Sequence, residues 1–127
     1  MKRIRFVAVL LMLLTAIAAN AAGAWQQMNI AGSFNNWSPA GKAGEMKLQE
    51  GLWKARIFLH AGLAEYKFTA NGDWKENWGN DEISATLPQM GKAIKEAGNI
   101  KASIESSGWY EFVFSPEKGE FSLNKLN

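Results

Sequence analysis

Cysteine is absent from this 127-residue chain, and histidine and proline are scarce, with one and three residues respectively. Without cysteine the chain forms no disulfide bond, no thiolate metal site and no thiol nucleophile. The lone histidine, His60, excludes a site that needs two imidazoles, and its place between two predicted strands indicates an ordinary turn residue. The folded domain therefore depends on its hydrophobic core for stability.

Clustered positive charge is also lacking. The chain has 14 lysines and arginines and 12 acidic residues, but three of the basic ones, Lys2, Arg3 and Arg5, stand at its start. The rest of the chain then has 11 basic and 12 acidic side chains, a net charge of −1. Because binding to nucleic acid or to an anionic membrane depends on clustered positive charge, we expect neither partner.

Residues 1–21 have the pattern of a secretory signal peptide. Their basic start is followed by about fourteen apolar residues and by small residues that offer a cleavage site at Ala19-Asn20-Ala21. The apolar run is shorter than the roughly 20 residues that a transmembrane helix needs, although an uncleaved anchor is the alternative. We expect an exported protein, periplasmic or secreted, in which residues 25–127 form one domain with no membrane contact after cleavage.

Short strands separated by turns account for most of the remaining sequence. Residues 52–59 and 64–70 alternate between apolar and polar side chains, and the connection between them has hairpin length. Further strands are predicted from Met28 onward, at 99–104, at 109–115, and around Phe121 and Leu123. Six or seven short strands of this kind predict an all-β fold, an antiparallel β-sandwich.

The stretch 74–98 is the exception to this pattern. Its one helical candidate, at residues 89–97, is short and contains Gly91. We therefore interpret 74–98 mainly as a long excursion from the sandwich, and a loop of that length in a compact domain is usually functional or mobile.

Two of the six tryptophans stand in turns. Trp37 follows Asn35-Asn36, and Trp74 follows Asn71-Gly72-Asp73. An indole in such a position offers a rigid, largely apolar face and one N–H, on which the C–H face of a sugar ring can stack. Burial as a core plug is the alternative for each, because tryptophan is largely buried on average.

The other four tryptophans have less distinctive positions. Trp78 either extends this platform or anchors the excursion, and we retain it as a candidate binding residue. Trp53 alternates with other apolar residues and is expected in the core. Trp25 and Trp109 stand at strand beginnings and are expected to pack rather than to bind.

Lys67 lies between Tyr66 and Phe68 in a predicted strand. Neighbouring side chains of a strand point to opposite faces, so the ammonium group faces outward if the two aromatic rings fill the core. Trp74, just beyond the following turn, can then fold back beside it. A solvated surface lysine is the alternative.

Catalytic and metal-binding patterns are not evident. Glu76, Asp81 and Glu82 are close in sequence, but glycoside hydrolysis needs two carboxylates at a set separation, and exposed loops commonly carry charges. The oxygen-rich stretch 71–81 could hold Ca²⁺, yet its spacing does not match an EF-hand loop. We expect no enzyme activity, no cofactor and no bound metal.

Two segments carry a family resemblance. Residues 32–37, Gly-Ser-Phe-Asn-Asn-Trp, and the motif from Tyr66 to Trp74 resemble the signatures of carbohydrate-binding module family 48, which includes the glycogen-binding domain of the AMP-activated kinase β-subunit. Residues 73–79 and Gly98-Asn99-Ile100 look more like the starch-binding modules attached to bacterial pullulanases. The similarity extends over most of the chain beyond its first 27 residues.

The resemblance implies an early-set immunoglobulin-like sandwich that binds α-1,4-linked glucose chains such as glycogen, starch and maltooligosaccharides. Trp37 and Trp74 fall on the family's stacking tryptophans, Lys67 on its hydrogen-bonding lysine, and Asn99 near its sugar-contacting asparagine. The chain departs from the kinase pattern in its longer stretch 78–98. A protein-interaction module of the same fold, docking to an amylolytic enzyme or an envelope protein, is the alternative.

Overall fold

A computed structural model describes residues 25–127, and the predicted signal peptide lies outside the described residues. The described part forms two antiparallel sheets that pack face to face around one core. The predicted all-β sandwich is therefore confirmed. A single 3₁₀ turn, Lys42–Gly44, is the one helical segment of residues 25–127, and no helix in that range is long and apolar enough to cross a membrane.

The first sheet is built around β4 (Gly62–Ala70). On one side β4 pairs with β1 (Met28–Gly32). On its other side β4 pairs first with β8 (Ile100–Ile104) and then, near its end, with β5 (Asn77–Gly79), to which β7 (Ile94–Lys95) is added. This change of partner leaves one residue of β4, Lys67, between the two pairings.

The second sheet has five antiparallel strands. Their order is β2 (Lys47–Gln49), β3 (Leu52–Leu59), β9 (Gly108–Ser115), β10 (Glu120–Lys125) and β6 (Gln89–Lys92). The long strands β3 and β9 pair over seven residue positions at its centre. Each long predicted strand is confirmed to within two residues at its start, because alternation over seven or eight positions is a clear signal.

The interpretation of 74–98 needs correction. Its helical candidate is wrong, since residues 89–92 and 94–95 are strands. The stretch is not an excursion from the sandwich either, because it contributes two strands to the first sheet and one to the second. These strands have two to four residues, too few to display an alternating pattern, and they depend on pairing with the longer strands beside them.

Aromatic rings from both sheets fill the core. Phe68 stacks on Phe114 of the opposite sheet, with ring centroids 4.3 Å apart and planes at 11°. Tyr66 meets Phe112 edge to face at 5.0 Å. The Tyr66 hydroxyl donates to Gln89 Oε1 at 2.7 Å, which satisfies a fully buried polar group, and burial raises the pKa of the Tyr66 phenol. As expected, Trp53 also lies in this core.

Candidate functional site

The loop that follows β1 covers the outer face of the first sheet. Asn29 and Thr69 are opposite each other in the register and point away from the core, yet both are fully buried. Asn29 Nδ2 donates to the carbonyl of Gly41 at 2.7 Å, and Thr69 Oγ1 donates to the carbonyl of Pro39 at 3.2 Å. These two bonds hold the loop against the sheet.

Trp37 lies in the tight turn at the start of this loop. The Asn35 side chain accepts a hydrogen bond from the Gly32 N–H at 2.9 Å and donates one to the Ile30 carbonyl at 2.8 Å. The backbone at Asn36 and Trp37 has φ of 59° and 57°, a left-handed conformation that a bulky residue seldom adopts. Strain of this kind concentrates at binding and catalytic sites, and here it fixes a half-buried indole.

Trp74 lies in the turn that follows β4. The chain reverses at Asn71 and Gly72, with φ of 58° and 78°, as the sequence predicted for a turn-forming pair. Asn77 Nδ2 then donates to the Trp74 carbonyl at 2.9 Å. The Trp74 side chain is 40% exposed, so the alternative in which it plugs the core is wrong.

The two tryptophan loops contact each other. A Cβ atom placed on Gly72 would lie 3.6 Å from the Cβ of Ala40. Gln27 bridges the same two loops, because its carbonyl accepts from the Asn71 N–H at 2.7 Å and its side-chain amide lies 3.5 Å from the Ala40 carbonyl. The structure therefore brings the loops of Trp37 and Trp74 to one flank of the first sheet.

Lys67 lies on the outer face of β4, between its buried neighbours Tyr66 and Phe68. A Cβ atom on Gly79 would lie 3.0 Å from Lys67 Cε and would collide with the Gly98 carbonyl oxygen. The aliphatic part of the Lys67 side chain therefore passes over the backbone of Gly79. Gly79 belongs to β5, the strand that takes the place of β8 beside this end of β4. Glycine is required here because backbone and lysine occupy the space of a side chain.

Two carboxylates act electrostatically on the Lys67 ammonium group. Burial lowers the pKa of Lys67, while the negative charges of Glu96 and Asp81 act in the opposite direction. Asp81 packs on Gly98, whose added Cβ would lie 2.8 Å from Asp81 Oδ2. Both acidic residues belong to the 74–98 stretch, which therefore supplies the negative charge that acts on the ammonium group.

Asn99 reaches the same face from the start of β8. Its side-chain Nδ2 donates to Glu65 Oε1 at 3.3 Å. Glu65 precedes Lys67 by two positions on β4, so the two side chains share a face at a spacing of roughly 6.6 Å. The structure therefore brings Lys67 and Asn99 together, with Glu65 as a polar neighbour that the sequence reasoning missed, although its spacing from Lys67 offered the signal.

Trp78 does not belong to this surface, and its prediction as a binding residue is wrong. It is directly opposite Phe68 in the register, so both side chains point into the core. The indole is 2% exposed and meets Phe114 at 5.1 Å and Trp25 at 5.9 Å between ring centroids. Trp78 instead anchors the 74–98 stretch, the alternative that the sequence left open.

The remaining tryptophans also differ in burial, and one acidic residue interacts with one of them. Trp25 packs against the core as expected, and its Nε1 donates to Glu76 Oε2 at 3.1 Å. Glu76 also pairs with Lys95 at 3.3 Å. Trp109 was expected to pack, but this is wrong because its side chain is 56% exposed. Within residues 25–127 no group of three or more His, Asp or Glu side chains is arranged to hold a metal ion.

Comparison with known proteins identifies the family. A family model described as the pullulanase X25 domain matches residues 18–105. The chain belongs to the pullulanase X25 domain family. The resemblance to the starch-binding modules of bacterial pullulanases is thereby confirmed, and the X25 domain is a carbohydrate-binding module.

A solved structure supports the fold of the X25 domain. It is described as the ligand-induced structure of AmyP-SBD, and it superposes with a TM-score of 0.58 at 14% sequence identity. The superposition covers 80% of this chain and 72% of the other. At this identity the likeness concerns the sandwich architecture alone. A search of curated proteins gives no match.

Proposed function

We propose that this X25 domain is a non-catalytic, exported module that binds α-1,4-linked glucans through Trp37, Trp74, Lys67 and Asn99. The observation that carries the proposal is the contact between the two loops that hold Trp37 and Trp74, at the flank of the sheet face that holds Lys67. Family membership supports a carbohydrate ligand, and the resemblance of the two tryptophan segments supports α-1,4-linked glucose.

Each residue has a distinct role in this proposal. The indoles of Trp37 and Trp74 supply flat apolar surfaces for the C–H faces of successive glucose rings. The Lys67 ammonium group donates to sugar hydroxyls, and a hydrogen bond from a charged group contributes about 1.5–3 kcal/mol. Its partial burial leaves it less bound to water before the sugar arrives. Asn99 adds amide donors and an acceptor on the same face.

The carboxylates near the site fit a supporting role better than a catalytic one. Glu76 is engaged by the indole N–H of Trp25 and by Lys95, and the charges of Asp81 and Glu96 act on the Lys67 ammonium group. A glycosidase would need two carboxylates free to act on either side of a scissile bond. We therefore assign binding without hydrolysis, with modest affinity because a shallow surface leaves much of the glucan in water.

Native gel electrophoresis in the presence of amylopectin tests this proposal. We expect the wild-type protein to be retarded by the polymer, and the Trp37→Ala and Trp74→Ala double variant to lose most of that retardation. Met90→Ala, which removes an exposed side chain on the other sheet, is the control and should migrate like wild type. If wild type ignores the polymer, the protein-docking alternative is favoured and the glucan proposal fails.

Export is the second part of the proposal, and it rests on the pattern of residues 1–21. Expression of the full chain should yield a processed protein in the periplasm or medium, with the mass of a chain that begins after Ala21. A Leu13→Arg change in the apolar segment should leave unprocessed protein inside the cell, because a charge interrupts the apolar core of the signal. Processing that is unaffected by this change would contradict the prediction.

A further inference from the structure

An exposed aromatic cluster lies on the outer face of the second sheet. Phe58 of β3 and Trp109 of β9 are opposite each other in the register, and their side chains are 43% and 56% exposed. The two rings meet edge to face at 5.7 Å, and the His60 ring meets Phe58 in the same manner at 5.3 Å. We call these three residues the second aromatic surface.

Strand parity accounts for the outward direction of these rings. Phe58 alternates with Leu59, and Trp109 with Tyr110, and both partners are buried in the core. Single exposed apolar residues are ordinary on protein surfaces. A row of three aromatic rings is different. Phe58 contacts both Trp109 and His60, so the three rings form a continuous patch and leave apolar ring faces in water.

The chemistry around this patch is polar. The next row of the same face holds the ion pair of Arg56 and Glu111, with 3.5 Å between Nε and Oε2. Asn124 is opposite Glu111 on β10 and lies on the same face of the sheet. Hydrogen-bonding side chains therefore border the rings.

The size of the patch favours a sugar over a protein. A stable protein interface covers about 800 Å² on each partner around a desolvated apolar centre. Here a charged row follows the aromatic row directly, so the apolar surface is one row wide. A glucose ring needs only one indole to stack on and a few polar groups for its hydroxyls, which is what the second aromatic surface offers.

We propose that Trp109, Phe58 and His60 form a second glucan-binding surface, an inference that rests on the glucan specificity proposed above. The first surface lies on the outer flank of the first sheet and this one on the outer face of the second sheet. One module therefore presents two binding surfaces on opposite sides of the sandwich, and it can hold two chains or two branches of one polymer.

Two surfaces predict a preference for polymers. Once one surface is bound to a branched glucan, the second encounters neighbouring branches at high effective concentration. We expect Trp109→Ala to lower the apparent affinity for amylopectin at least about tenfold. Its effect on maltoheptaose should be the loss of one of two sites, with the remaining site unchanged.

Titration calorimetry with maltoheptaose separates the two surfaces. Wild type should bind two ligands per chain, Trp109→Ala one, the Trp37→Ala and Trp74→Ala double variant one, and the triple variant none. In the double variant, the indole N–H signal of Trp109 should shift in ¹H–¹⁵N spectra as maltoheptaose is added. Circular dichroism verifies the fold of each variant, and Met90→Ala is the control.

The possible failures are distinguishable. One ligand per wild-type chain, unaffected by Trp109→Ala, overturns the second surface and leaves the first in place. Binding that depends on Trp109 alone overturns the site at Trp37 and Trp74 and retains the second surface. Absence of maltoheptaose binding by every form, or a Trp109-dependent complex with an envelope protein in its place, overturns both.

Discussion

Trp74 and Trp78 stand four residues apart in the chain and lie in opposite environments. Trp78 belongs to β5, where pairing with β4 sets its indole beside Phe68 in the core. Trp74 belongs to the turn before β5, where no partner strand directs it inward, and its indole remains 40% exposed. The same residue type therefore fills the core in one region and is exposed on the proposed binding surface in the other.

The second sheet repeats this contrast through strand parity. Trp53 shares the inward face of β3 with Ala55, whereas Trp109 stands on the outward face of β9. Whether a tryptophan on a strand is buried depends on which face of the strand packs into the core. Whether a tryptophan in a turn is buried depends on the contacts that fix the turn. Residue type alone does not decide its role.

The largest expected effect is on the free energy of unfolding, when Trp78 and Trp74 are each replaced by alanine in separate variants. Trp78→Ala leaves a cavity between both sheets and should lower the free energy of unfolding by about 3–5 kcal/mol. Trp74→Ala should change it by less than about 1 kcal/mol while weakening amylopectin binding. Urea denaturation measures both, and equal destabilisation by the two variants would remove the distinction between the regions.

The next prediction concerns Lys67, the charged residue proposed to bind sugar hydroxyls in the site at Trp37 and Trp74. Lys67→Met retains the stem that crosses Gly79 and removes the ammonium group. The maltoheptaose affinity of the site at Trp37 and Trp74 should fall about tenfold to hundredfold, since a charged hydrogen bond is worth about 1.5–3 kcal/mol. Lys54→Met on the second sheet is the control, and an unchanged affinity in Lys67→Met would remove the lysine from the site.

The smallest expected effect is a loss of folding stability at high pH, and it comes from Tyr66 in the buried region. Burial raises the pKa of Tyr66 well above its ordinary value of 10.0, so the folded state holds its proton where the unfolded state releases it. The contribution of Tyr66 to the free energy of unfolding is therefore complete below pH 10. It is lost as the pH rises above 10, by up to about 1.4 kcal/mol per pH unit. Urea denaturation between pH 9 and 11 checks this, with Tyr66→Phe as the variant that lacks this contribution.

Longer elements could be predicted from the sequence, whereas the shortest ones could not. Residues 52–59 alternate over a full strand, and the strand has those bounds in the structure. The strands at 77–79 and 94–95 are too short to carry a period. The first exists because it pairs with β4, and the second because it pairs with the first. Trp109 is a different case. Tyr110, Phe112 and Phe114 share one apolar face of the strand, so strand parity alone indicates that the Trp109 indole points to the other face.

The sequence by itself determined the β-sandwich, the positions of the turns and the presence of Trp37 and Trp74 within them, because alternation and turn-forming residues act locally. Tertiary structure alone decided the burial of Trp78, the electrostatic effect of Asp81 and Glu96 on Lys67, and the contact between the two tryptophan loops. Those features depend on which strands pair and in which register, and pairing joins residues that are far apart in the chain.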